Sequence, residues 1–324
     1  MKIISLVTFK NEESFLPSHI ASVAPYVDEI IGLDHGSSDS SAAVFAEMVG
    51  TGPLDGSLST RSWSRGGELD VRRVLLSEGR RRGGTHFLVL DADECLTPTA
   101  GRNLRFELSQ LSPGDALQMP WIVCWNSTRA YRTGTSQWNM PLLDFAFHDT
   151  PDLDYQTTSL LHVSRTPSPS TQVHHALDTR LGGVIHYQFA FWQQTAIKQA
   201  WYRCIDFLNK ENSPQGINRM YMASKTDPSA ETQELPSVWI PPLEPSPPSS
   251  DWRLEQILEW FDIHGVRHFE PIDIWDVQLL RERFIDDVGR APLPRYDSDL
   301  WYRVRRKIRK TLRIQETGTP AQRR

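Results

Sequence analysis

The sequence predicts an α/β fold: a mostly parallel sheet flanked by helices, with a helical C-terminal extension. Three observations carry this. Short apolar runs alternate with segments of helical spacing through the first third of the chain. The runs are apolar throughout, as in strands buried on both faces. Two of them end on acidic polar turns, and the carboxyl ends of parallel strands are where such sheets open a ligand crevice.

The elements follow in order. Ile3 to Phe9 reads as a buried strand, and Glu12 to Ala24 places Phe15, Leu16, His19, Ile20 and Val23 at helical spacing. Asp28 to Leu33 is a second strand, ended by the polar turn Asp34 to Ser41, which can cap a helix over Ala42 to Val49. Ser57 to Trp63 is a candidate third strand. A helix from about Glu68 to Arg82 stops at Gly83-Gly84, and a fourth strand, His86 to Leu90, runs into Asp91-Ala92-Asp93-Glu94. Further on, Ala116 to Trp125 and Gly182 to Tyr187 read as strands, the latter leading into a helix over Phe191 to Asn209. Pro236 to Ser250 holds six prolines and four serines, which makes it an extended linker or surface wrap. Beyond it, Asp251 caps a helix bearing Ile257, Leu258 and Phe261, and Ile274 to Asp287 forms another. The expected division is therefore 1–235, a linker at 236–250, a helical extension over 251–298, and a basic tail, 299–324.

Composition narrows the classes. With 324 residues, 39% apolar and 23% charged, the chain can bury a large core without staples. Its three cysteines are far apart with no CxxC, which excludes a cysteine zinc site or a disulfide framework and suits a reducing compartment. The first apolar run is too short for a secretory signal, and no window is long enough for a membrane span, so a cytoplasmic protein is expected. Net charge is −5, although residues 300–315 carry seven basic side chains and no acidic one. The acidic body argues against a nucleic-acid partner.

The chemistry-bearing residues cluster at the strand ends. Asp91, Asp93 and Glu94 at the end of a buried strand repel one another unless a cation or ligand lies among them. Oxygen ligands of this kind suit Mg2+ or Mn2+, which bind one or two carboxylates together with substrate phosphates. The plain alternative is a capped turn with Glu94 in solvent. Trp121, Trp125, Tyr131 and Trp138 are dense nearby; Trp121 reads as core, and Trp125 and Trp138 stand between core and sugar contact. Dinucleotide, P-loop and nucleophile-elbow motifs are absent from the sequence.

Lys10-Asn11-Glu12-Glu13 after the first strand, Val27 to Ser40 around the second, a helix bearing Arg72-Arg73, and Leu88 to Glu94 together resemble the family 2 glycosyltransferases of the GT-A fold. The likeness in order, spacing and strand context extends over roughly residues 1–125. It implies a metal-dependent enzyme that moves a sugar from a nucleotide-diphosphate sugar to a glycan or lipid-linked acceptor, by a single inverting displacement. Glu12, Asp34, Asp39, Arg72 and Asp91 are the implied nucleotide-sugar contacts. Asp91 and Asp93 would hold Mn2+ or Mg2+. His186, in Gly183 to Gln188 ahead of a helix with Lys198, is similar to a late His-Tyr segment of such enzymes and would complete the metal site; His174-His175 compete for that role. His35 stands where the family carries a second acid, and the usual Glu-Asp pair that supplies the base is missing. Asp144, Asp149, Asp152 and Asp154 lie in the right interval, and Asp149 is the favoured base. A non-catalytic nucleotide-sugar or glycan binder on the same scaffold is the alternative. A sugar nucleotidyltransferase is disfavoured, since its glycine- and arginine-rich first loop is replaced by Phe9 to Glu13.

The tail has its own pattern. On a helix Trp301, Val304, Ile308 and Leu312 form one narrow apolar stripe among Arg303, Arg306, Lys307, Arg309, Lys310 and Arg313. Such a stripe suits peripheral contact with an anionic membrane surface, and equally a helix packed on the acidic body.

Overall fold

The computed structural model describes residues 1–55, 67–134, 139–156, 163–167, 173–210, 212–221, 230–248 and 251–293. The chain separates into two compact units. One holds Met1–Trp192 and Pro228–Ser249; the other holds the helices built from Gln193 onward, without that returning stretch.

The first unit is an α/β layer structure. Its elements are β1 (Ile3–Phe9), α1 (Leu16–Val23), β2 (Glu29–Asp34), α2 (Ser41–Val49), β3 (Leu54–Asp55), α3 (Gly67–Arg81), β4 (His86–Val89), β5 (Glu94–Leu96), α4 (Pro98–Ser109), β6 (Ala116–Trp125), β7 (Ala130–Arg132), β8 (Leu142–His148), β9 (His174–Ala176), β10 (Val184–Phe189) and, in the returning stretch, β11 (Thr232–Glu234). The sheet order is β11-β7-β6-β8-β4-β1-β2-β3. β3, β2, β1 and β4 are parallel, and β8 lies antiparallel between β4 and β6. β10 pairs parallel with the second half of β6 and antiparallel with β5.

Alternate residues explain the unbroken apolar run of β1. Ile3 and Val7 enter the core under α1 and α4, while Ile4 and Leu6 enter the one under α3. A strand covered by helices on both faces has no solvent side to be polar. Gly183, just ahead of β10, has no room for a side chain: a Cβ there would collide with the Pro120 carbonyl, so the glycine lets β10 approach β6.

Several expected boundaries shift for identifiable reasons. α1 starts at Leu16, not Glu12, because Asn11 takes a left-handed conformation (φ 55) and the Glu12 carbonyl accepts the N–H groups of Phe15 and Leu16. The third strand expected over Ser57 to Trp63 lies outside the described residues; the strand beside β2 is Leu54–Asp55. The proline-rich run at 236–250 is no free linker. Trp239 is buried among Cys95, Ile122 and Tyr187, and Glu244 pairs with Arg129 at 2.6 Å, so its described part wraps the first unit.

The second unit is helical: α5 (Trp192–Leu208, from Gln193), α6 (Pro214–Met220), α7 (Trp252–His264) and α8 (Gln278–Val288). Trp201, Ile257, Phe261, Phe269 and Phe284 form its core. Asp251 caps α7 as expected, accepting from the Arg253 N–H at 3.1 Å. The helix expected from Ile274 begins only at Gln278, since Ile274 and Val277 turn back onto the carbonyls of Ile272 and Ile274. α5 and α6 belong here and not with the sheet, which divides the expected 1–235 segment.

All three cysteines are buried, Cys95 and Cys124 in the first unit and Cys204 in the second. No helix among the described residues is long and apolar enough to cross a membrane. The basic tail, including Trp301 to Leu312, lies outside the described residues.

Candidate active site

β4 ends in the apolar core, and the chain leaves it through Asp91–Asp93 into β5. The turn is closed twice: the Glu94 N–H donates to the Asp91 carbonyl at 3.0 Å, and the Asp91 N–H donates to Glu94 Oε2 at 2.9 Å. Beneath it, His19 of α1 donates from Nδ1 to the Glu94 carbonyl at 2.8 Å. The antiparallel register of β10 on β5 sets His186 opposite Glu94, and the Tyr187 N–H reaches the Asp93 carbonyl at 3.0 Å. The result brings His186 Nε2 to 3.4 Å from Asp93 Oδ1. Two residues 93 positions apart in sequence thus meet through one strand pairing.

Trp121 belongs to this site and is more than core packing. Its ring stacks on His186 (centroids 4.8 Å apart, 23° between planes), and its Nε1 donates to Glu94 Oε1 at 2.8 Å. Trp125, by contrast, is buried against Phe189 and Trp192 with the Arg132 guanidinium over its ring, and Trp138 lies outside the described residues.

The crowded acids have cations of their own. Arg72 donates from Nη2 to Asp91 Oδ1 at 3.0 Å, and Arg165 donates from Nη2 to Asp91 Oδ2 at 2.8 Å and to Glu94 Oε1 at 2.6 Å. Desolvation opposes ionisation of Asp91, but Arg165 and Arg72 outweigh it and hold the carboxyl down to about 2. Glu94, fully buried, goes the other way: burial raises its pKa more than Arg165 lowers it. Arg72, an implied nucleotide-sugar contact, is buried, and its Nε and Nη1 have no hydrogen-bond partner among the described residues.

The loops after β1 and β2 form a second cluster at the carboxyl ends of the strands. Asp34 Oδ1 accepts from the Ser37 N–H (2.9 Å) and hydroxyl (2.7 Å), and Asp39 accepts from the Ser41 and Glu13 N–H groups at 2.9 and 3.3 Å. Glu12 contributes its backbone, donating to Ser41 Oγ at 2.8 Å. Asn11 bridges the loops: its Oδ1 accepts from the Ser38 N–H at 2.7 Å and its N–H donates to Ser37 Oγ at 2.9 Å.

Asp149 is not with these residues. β8 runs antiparallel to β4 with His148 opposite His86, so Asp149 emerges at the amino end of β4, where its N–H donates to the Thr85 carbonyl at 2.9 Å. There Arg80 clamps both carboxylate oxygens, at 2.7 and 2.8 Å. Of the candidate acids, Asp144 precedes Ala146, which pairs with Leu88, and so lies toward the carboxyl end of β4; its Oδ1 is 2.8 Å from His174 Nδ1. His175, the other half of that competing pair, bonds Asp115 at 3.1 Å. His174 and His175 therefore hold different acids.

Whether a metal fits is decided by the donors. Asp91 does not suit the role expected of it, because both its oxygens carry guanidinium groups. Asp93 and His186 do suit one: both are buried, and the imidazole turns Nε2 toward the Asp93 carboxylate at 3.4 Å. Two protein ligands suffice for a cation that also binds substrate phosphates. Among the described residues no group of three His, Cys, Asp or Glu side chains is gathered to hold a metal ion.

No family model matches the chain, and no curated protein matches it. Among solved structures, similarity is found to a mycobacterial protein at 22% identity (TM-score 0.29, covering 38% of this chain and 41% of that one). Glucosyl-3-phosphoglycerate synthase from Mycobacterium tuberculosis with Mn2+, UDP and glucosyl-3-phosphoglycerate matches at 21% identity (TM-score 0.28, 38% and 44%). The same enzyme with Mn2+ and UDP-glucose matches at 18% identity (TM-score 0.28, 38% and 43%). The chain spans less than half the length of the solved structures it matches.

Proposed function

We propose that the chain is a family 2-type glycosyltransferase that moves a sugar from a nucleotide-diphosphate sugar to a hydroxyl of a glycan or lipid-linked acceptor, with inversion. One observation carries this reading: the acidic turn after β4 places Asp93 beside His186 at the carboxyl end of a parallel β3-β2-β1-β4 sheet. Asp93 and His186 would hold Mn2+ or Mg2+, which when bound supplies positive charge toward the departing diphosphate. The donor's nucleotide would lie over the loops after β1 and β2, where Asp34, Asp39 and the backbone of Glu12 shape the crevice and Arg72 keeps guanidinium donors for it. Asp144 takes the place of Asp149 as the acid on the acceptor proton, oriented by His174. We infer a cytoplasmic chain whose basic tail contacts an anionic membrane surface. Truncation after Ser298 then lowers sedimentation with anionic vesicles at low salt; equal sedimentation of the two forms removes the membrane contact.

The test is a donor screen with Mn2+ and a panel of glycan acceptors, scoring nucleoside diphosphate release. Asp144→Asn is expected to abolish turnover while donor binding persists. The displacement of Asp149 from the site favours a second reading, a non-catalytic nucleotide-sugar binder. Tight donor binding by calorimetry without turnover on any acceptor would decide for it.

A further inference from the structure

This inference rests on Asp93 and His186 as the cation-binding pair and concerns Arg165, which no sequence motif marks. Arg165 comes from a short stretch 71 residues beyond Glu94, with its backbone carbonyl fixed by the Tyr155 hydroxyl at 2.8 Å. Its guanidinium lies over Phe145 (5.0 Å to the centroid) and near Trp121 (5.9 Å), and one nitrogen, Nη2, serves both Asp91 and Glu94. Apolar faces of this kind fix where the charge sits.

Consider the turn without that charge. Asp91, Asp93 and Glu94 lie within four residues, and Glu94 is buried at the end nearest Trp121. Asp91 Oδ2 and Glu94 Oε1 both reach Arg165 Nη2, at 2.8 and 2.6 Å, so without that nitrogen the two oxygens would converge on a point that a hard cation could take in its place. With Arg165 in place, that point is already occupied by a fixed positive charge. We propose that Arg165 is a positioning residue that decides where a divalent cation binds: by neutralising Asp91 and Glu94 it directs the metal to Asp93 and His186.

The proposal predicts an uncommon result, a substitution that tightens metal binding while impairing function. Mn2+ is titrated calorimetrically into the full chain without nucleotide, for the wild type, Arg165→Met, Arg165→Gln and Arg165→Lys, with folding checked by circular dichroism. Arg165→Met is expected to bind Mn2+ about tenfold more tightly, since a unit charge beside three carboxylates is lost. Arg165→Gln, which retains hydrogen-bond donors and gives a second chance of a folded uncharged variant, should move in the same direction. Arg165→Lys should stay within about threefold of the wild type, because the charge remains.

Pulsed electron paramagnetic resonance supplies a second readout. Bound Mn2+ in the wild type should show coupling to a histidine nitrogen, lost in His186→Ala and weakened in Arg165→Met. A folded Arg165→Met or Arg165→Gln with unchanged or weaker Mn2+ affinity and intact nitrogen coupling overturns the role of Arg165 alone. Wild-type Mn2+ without histidine coupling, or no Mn2+ uptake, overturns the Asp93–His186 reading beneath it.

Discussion

The two ends of β4 both carry buried charge, and they treat it differently. At the amino end, Asp149 is gripped by Arg80 through two hydrogen bonds, and the same guanidinium donates to the carbonyls of Thr150 and Leu153, each at 2.8 Å. His86 and His148 stack beside it, 4.1 Å between centroids. At the carboxyl end, two nitrogens of Arg72, Nε of Arg165 and Nδ1 of His186 have no hydrogen-bond partner among the described residues. Buried polar groups are nearly always paired, so a concentration of unused ones marks a place completed by something else. The amino end is built to hold the fold. The carboxyl end, where the parallel strands open, is the end at which the proposed ligand site lies.

That contrast can be broken by substitution. The largest effect is expected from Asp93→Asn, which should lower nucleoside diphosphate release by on the order of a hundredfold or more, through the loss of electrostatic stabilisation at the leaving group. Its melting temperature should hold or rise, since one of three crowded acids loses its charge. Full activity in that variant would remove the carboxyl end from the chemistry. Asp149→Ala should behave in the opposite way, losing about 1–3 kcal/mol in urea unfolding because Arg80 loses the carboxylate that balances its charge, a cost moderated by the partial exposure of Arg80. Turnover per folded molecule should be unchanged, and a selective loss of turnover would return Asp149 to the site.

A smaller effect comes from pH. Burial and the charge of His148 hold His86 down to about 4, against an ordinary value near 6.5. Between those values the unfolded chain binds more protons, so stability is full above about pH 6.5 and falls as pH drops toward about 4. His35, half-buried and beside Lys10, is also held at about 4 and adds to the same window from the other end of the sheet. Urea midpoints at pH 7 and pH 4.5 should therefore converge in part in His86→Gln, and an unaltered difference would show that the stacked pair does not titrate with unfolding. The smallest effect is expected from Asn11→Ala. Loss of its bridge to Ser38 and the strain of a left-handed alanine should cost about 1–2 kcal/mol, with a raised KM for the donor and little change in kcat.

What could be read from the sequence follows the same division. β1, β2, β4 and β6 are legible because strands covered on both faces are continuous apolar runs, and the acids at their ends mark the crevice. Asp93 and His186 are joined in the sequence only through the resemblance to the glycosyltransferases, and the β10–β5 register is what makes them neighbours. β8 gave no such signal: Leu142 to His148 mixes exposed and buried positions, and its direction is set by neighbours it meets only in the folded sheet. Missing that reversal is what put Asp149 at the wrong end. Arg165 was invisible for a related reason, since nothing local in Val163 to Pro167 reveals that its guanidinium crosses to Asp91 and Glu94. Trp121 misled because an aromatic residue on a central strand is ordinarily core, and its indole N–H shows its partner only in three dimensions.

The buried cysteines turn the molecule into its own reporter. Burial raises the pKa of all three thiols, so a maleimide added at neutral pH reacts only with molecules that have opened. Cys95 directly follows Glu94 on β5, whereas Cys204 lies on α5 in the helical unit. Variants retaining one thiol each would thus time two separate breathing motions. A ligand that seats on the acidic turn should slow the clock at Cys95 and leave the one at Cys204 running.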